Sequence, residues 1–89
     1  MEEFEQIRIY LKHKPVSKAA IFGSFSRGEQ HQQSDIDLLI EAHGMTLFDI
    51  LKMEQDLEKI TRRKIDIVEY KAVKPLLQTY VFSNLIEII

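Results

Sequence analysis

Apolar residues in this chain recur first at helical spacing and then in strand-like runs, and the two patterns alternate to the end. Phe4, Ile7 and Leu11 fall on one stripe between Glu3 and His13, which predicts a first helix closed by Lys14-Pro15. Ala19, Ala20, Ile21 and Phe22 form a short apolar run that stops at Gly23-Ser24, as a strand does on meeting a turn. A short second helix is expected there, before a polar loop from Gly28 to Ser34. The next strand carries Ile36, Leu38, Leu39 and Ile40, with Asp35 and Asp37 set into it. Thr46 then has the position of a helix cap with Asp49 three residues on, and Leu47, Ile50, Leu51, Met53, Leu57 and Ile60 line the helix that follows. Lys64 to Tyr70 returns to alternation, with Ile65 and Ile67 on one face and Asp66 on the other. A last helix is expected from about Val73, Pro75 being tolerated in its first turn. The order α-β-α-β-α-β-α predicts an α+β domain with a three-stranded mixed sheet and about four helices packed on it.

The alternation decides where the carboxylates go. Successive side chains of a strand point to opposite faces, so Asp35 and Asp37 emerge on one side, about 7 Å apart, while Ile36, Leu38 and Ile40 face the other way. Burying such a pair is costly unless a cation compensates it, and Mg²⁺ is the oxygen-seeking ion that carboxylates and substrate phosphates hold together. The alternative is an edge strand whose aspartate face is merely solvated. Upstream, Gly23 allows a phosphate to approach the backbone, and Ser24 offers an amide and a hydroxyl to phosphate oxygens. For that turn to lie beside the aspartates, the two strands must run antiparallel. Arg27 would then carry a charged fork to the same phosphates, or else pair with Glu29 on the surface. Asp66 supplies a third carboxylate, and three on adjacent strands suffice for two divalent ions about 4 Å apart, the arrangement that serves an in-line displacement.

Gly23-Ser24, Arg27-Gly28 and Ser34-Asp35-x-Asp37-Leu38-Leu39-Ile40, with Asp66 on a later strand, together resemble the polymerase-β-type nucleotidyltransferase superfamily, and within it the minimal nucleotidyltransferase (MNT) branch. The resemblance implies that Gly23 and Ser24 bind nucleotide phosphates and that Asp35, Asp37 and Asp66 bind two Mg²⁺ ions. Asp66 would also help to activate the attacking hydroxyl. Relatives commonly carry a glycine before the third strand, where this chain has Thr61-Arg62-Arg63; the change is expected to affect a helix end and not the chemistry. The resemblance further implies an antitoxin that moves AMP from ATP to a hydroxyl, a tyrosine of a HEPN-domain ribonuclease toxin. Two alternatives stay open, an antitoxin that acts by binding alone and a small-molecule nucleotidyltransferase.

Composition narrows these expectations. With 89 residues the chain is read as a single domain, 1–89, holding a catalytic core and little to grip an acceptor. A formal net charge of −2 leaves no basic groove for long nucleic acids, and Arg62-Arg63-Lys64 reads as a solvated corner. Without cysteine there are no disulfides or thiolate metal sites, and His13, His31 and His43 are too scattered to form a ligand set. The acidic start MEEFEQIRIY and the lack of a long apolar run lead to the expectation of a cytoplasmic protein. The apolar residues Leu76, Leu77, Tyr80, Val81, Phe82, Leu85, Ile86, Ile88 and Ile89 exceed one narrow stripe, so either the final helix meets a partner or a second copy, the toxin being the partner that the resemblance implies, or it is a wide lid on a small sheet.

Overall fold

The computed structural model describes residues 2–23, 28 and 35–89. Helix α1 (Glu2–Leu11) opens with acidic residues in its first turn, where they complement the helix dipole, and buries Ile7 and Leu11. Strands β1 (Val16–Phe22) and β2 (Ile36–Ala42) run antiparallel, and β3 (Ile65–Glu69) lies parallel to β2 on its other side. Helix α2 (Leu47–Thr61) makes the crossover between those parallel strands. Helix α3 (Pro75–Phe82) follows after a 3₁₀ turn at Tyr70–Ala72. The helix expected between β1 and β2 lies outside the described residues.

Two expectations are corrected here. The sheet has four strands, in the order β3-β2-β1-β4, because the chain leaves α3 after Phe82 and pairs β4 (Ile86–Glu87) antiparallel with β1 at Ala20 and Ile21. The β-branched tail Ile86, Ile88 and Ile89 suits an extended backbone. It also covers the edge of β1, with the Ala19 N–H donating to the Ile89 carbonyl at 3.2 Å and the Ile88 N–H to the Ala19 carbonyl at 2.9 Å. The second correction concerns α2, which buries a narrower stripe than its apolar residues suggest. Ile50, Met53, Leu57 and Thr61 face the sheet, while Leu47, Leu51 and Ile60 are exposed on its flanks.

The core lies between one sheet face and the helix pair α1 and α2. Ala19 and Ile21, then Ile36, Leu38 and Ile40, then Ile65 project from three strands onto Ile7, Leu11, Met53 and Leu57. Thr46 caps α2 as expected: its Oγ1 accepts from the Asp49 N–H at 3.2 Å, and the Asp49 carboxylate accepts from the Thr46 N–H at 2.8 Å. At the other end Arg62 adopts φ 59°, the left-handed conformation in which a glycine usually closes a helix. Its neighbour Arg63 pairs with Glu3 at 3.1 Å, tying that corner to α1. Among the described residues no helix is long and apolar enough to cross a membrane.

The two helices are joined by the Tyr10 hydroxyl, which donates to Asp56 Oδ2 at 2.7 Å, while Lys52 donates to the other carboxylate oxygen at 3.0 Å. These two bonds hold the Asp56 carboxyl below the usual carboxylate range. Burial, reinforced by Asp56, pushes the Tyr10 hydroxyl up and keeps it a donor. A carboxylate depressed on folding contributes stability that is complete above its unfolded value and is lost as pH falls through the lower folded value. Tyr10→Phe is therefore expected to lower the urea midpoint near neutral pH and to approach the wild-type midpoint on acidification. A deficit that did not change with pH would show that packing, and not the bond to Asp56, carries the contribution.

Candidate active site

The site is assembled at one end of the sheet face opposite the core. Because β2 is flanked by β3 and β1, Asp37 rises from an interior strand, and the reading of a solvated edge strand does not hold. Asp37 stands level with Asp66 on β3 and opposite Phe22 on β1. Residues level with one another on adjacent strands point to the same face across about 4.8 Å, so the two carboxylates are neighbours. Both are half-buried. Asp35 precedes β2 by one residue, is exposed, and by alternation lies on the same side.

Gly23 closes this row on the β1 side. It follows Phe22 directly and has φ +75°, which side chains rarely adopt. A Cβ placed on it would overlap Oδ2 of Asp37 and lie 3.1 Å from its Cγ. The absence of a side chain at Gly23 is thus what lets the Asp37 carboxylate lie against the end of β1. The antiparallel pairing demanded by this neighbourhood is present. Ser24 and Arg27 lie outside the described residues.

Two like charges level with each other on adjacent strands repel, and a cation at that point relieves the repulsion. Carboxylate oxygens are the hard ligands that Mg²⁺ takes, commonly one or two from protein with the rest from phosphate and water. Asp37 and Asp66 fit that donor set. Among the described residues, no group of three or more histidine, cysteine or acidic side chains is gathered tightly enough to hold an ion by itself. The three-carboxylate cluster expected from the sequence is therefore represented by an adjacent pair with Asp35 beside it.

Beyond the carboxylates the same face turns apolar, a feature the sequence reading did not anticipate. Phe22, Val68, Val73, Leu77 and Val81 line a cleft of about 320 Å³ with Lys74 at its edge. Phe22 pairs with Asp37, and Val68 lies one alternation beyond Asp66, so the cleft adjoins the acidic row. Helix α3, which forms its far wall, contains no buried residue, and Leu76, Leu77 and Tyr80 are 96%, 51% and 61% exposed.

A family model described as polymerase beta, nucleotidyltransferase matches residues 5–89. A Methanocaldococcus jannaschii protein provisionally named a protein adenylyltransferase is 36% identical over 84 residues, which cover 93% of this chain and 89% of the relative. Among solved structures, a provisionally identified minimal nucleotidyltransferase is similar with a TM-score of 0.81 at 29% identity, covering 96% of this chain and 88% of that one. A tri-AMPylated Shewanella oneidensis HEPN toxin in complex with an MNT antitoxin gives a TM-score of 0.77 at 18% identity, covering 99% of this chain and 70% of that one. At that identity the likeness is one of fold.

The contact between Gly23 and Asp37 is open to a double-mutant cycle. Gly23→Ala should lose about 1–2 kcal/mol from the left-handed backbone alone, with a further steric cost only while Asp37 is present. Urea unfolding should thus show a larger loss in the wild-type background than in Asp37→Ala. Equal losses in the two backgrounds would mean that Gly23 does not shape the carboxylate.

Proposed function

The chain belongs to the polymerase β nucleotidyltransferase family, and from that premise we propose an adenylyltransferase antitoxin that moves AMP from ATP to a tyrosine hydroxyl of a HEPN-domain toxin and so neutralises it. The observation that carries the reading is the row Gly23, Asp37 and Asp66 at the end of three adjacent strands. It brings the glycine that ends β1 beside two carboxylates that share a face. The names of the relatives supply the substrates. The M. jannaschii relative is named for protein adenylylation, and the Shewanella complex holds an AMPylated HEPN toxin with an MNT antitoxin.

In the reaction, the acceptor oxygen bonds to the α-phosphorus of ATP as the bond to the bridging oxygen breaks. Pyrophosphate leaves in line and the hydroxyl proton is lost. Gly23 and Ser24 receive the triphosphate at the end of β1, and Arg27 adds a donor to it. Asp35, Asp37 and Asp66 would hold the Mg²⁺ ions, which on binding neutralise the charge on the phosphates and lower the pKa of the attacking hydroxyl. Asp66, on the outermost of the three strands, orients the acceptor hydroxyl. The acceptor itself comes from a partner, for which α3 presents an exposed apolar ridge next to the site.

Asp37→Ala should abolish transfer of labelled AMP to a co-expressed toxin, as read by intact mass with and without ATP and Mg²⁺, while the circular dichroism of the fold is retained. Undiminished transfer would sink the site assignment. The exposure of α3 also favours a second reading, neutralisation through binding alone. A variant carrying Asp35→Asn and Asp37→Asn separates the two. Catalytic neutralisation predicts that cells expressing it with the toxin stop growing, and normal growth would point to binding.

A further inference from the structure

Strand β3 is the outer strand on its side of the sheet, yet the outward amides on either side of Asp66 do not face open solvent. Backbone N–H groups alternate in direction along a strand. Lys64, just ahead of β3, offers its carbonyl to β2, accepting from the Ile36 N–H at 2.9 Å, while the N–H groups of Ile65 and Ile67 point outward. Two of the outward amides of β3, those flanking Asp66, meet carboxylates from α2. Glu54 Oε2 accepts from the Ile67 N–H at 2.8 Å, and Glu58 Oε2 accepts from the Ile65 N–H at 3.4 Å. The residue between these two amides is Asp66. Its backbone is therefore held by β2 on one side and, through its neighbours, by one turn of α2 on the other.

We propose that Glu54, with Glu58 as the weaker second grip, is a positioning residue for Asp66. The inference rests on the reading of Asp66 as a site carboxylate. A side-chain oxygen held on each of these amides occupies the edge of β3 at Asp66, where an unpaired edge would be open to slip or to recruiting another strand. A one-residue slip would turn Asp66 into the core face and Ile67 out. Short of that, a loosened β3 separates Asp66 from Asp37 along the strand and weakens their joint hold on a cation. Partners that orient a metal ligand matter in this way even though they never touch the ion.

The test compares the wild type with Glu54→Ala, Glu54→Gln and Glu54→Asp. The readouts are Mn²⁺ affinity by electron paramagnetic resonance, exchange of the Ile67 amide by NMR, and AMP transfer to the partner toxin. Glu54→Ala should speed Ile67 exchange, weaken Mn²⁺ binding about tenfold and lower kcat by a similar factor, with little change in KM for ATP. Glu54→Gln keeps an oxygen at the same reach and should restore most of each. Glu54→Asp keeps the charge but falls short of the amide, so it should resemble Glu54→Ala and carries the test if the alanine variant does not fold. Wild-type Mn²⁺ affinity in Glu54→Ala or Glu54→Asp, or a glutamine variant as impaired as alanine, would overturn the proposal. A wild-type protein that neither bound Mn²⁺ nor transferred AMP would instead overturn the reading of Asp66, and Ile67 exchange would still report whether the clamp exists.

Discussion

Everything in this molecule depends on the two-residue alternation of β2. Its even-numbered residues Ile36, Leu38 and Ile40 are fully buried in the core, so Asp37 has no choice but to emerge on the opposite face. Core packing and site geometry are thereby the same constraint. Any shift in register that moved Asp37 away from Asp66 would also withdraw three aliphatic side chains from Leu11, Met53 and Leu57, at a cost of several kcal/mol. The apolar half of the strand thereby sets the two carboxylates level with each other on one face.

The neighbours of β2 complete what alternation begins. From β1 comes Gly23, whose bare Cα leaves room for the Asp37 carboxylate, and from β3 comes Asp66 in parallel register. Both flanking strands would be edges if the sheet stopped there, and each edge is closed by a different device. β1 receives the β-branched tail as β4, while β3 is met by the glutamates of α2. The strands carrying the site are thus restrained from both sides without a long chain.

The site was readable in the sequence to the extent that it follows from period and turn chemistry. The juxtaposition of Asp37, Asp66 and Gly23 could be anticipated because a carboxylate among aliphatic residues and a glycine at the end of an apolar run conflict with local preference. Contacts between distant segments were not readable. Leu85 to Ile89 continue an apolar run that looks like more of α3, and only the free edge of β1 decides that they extend. Leu51 and Ile60 look like core residues until the sheet selects which stripe of α2 it covers. Glu54 and Glu58 look like a solvated helix face, and only the outward amides of β3 give them partners.

The distribution of rigidity follows the same division. Asp37 sits on a strand whose back, Ile36, Leu38 and Ile40, is packed to zero exposure, and Asp66 follows the buried Ile65, whereas α3 lies across the site face with no residue buried. A largely apolar helix that contributes little to its own core gains most from surface supplied by another molecule. The carboxylates are thus set where packing is densest, and the exposed apolar surface lies where the core of the fold reaches least. Substitutions at the exposed positions Leu76 and Tyr80 of α3 therefore leave untouched the packing that keeps Asp37 level with Asp66.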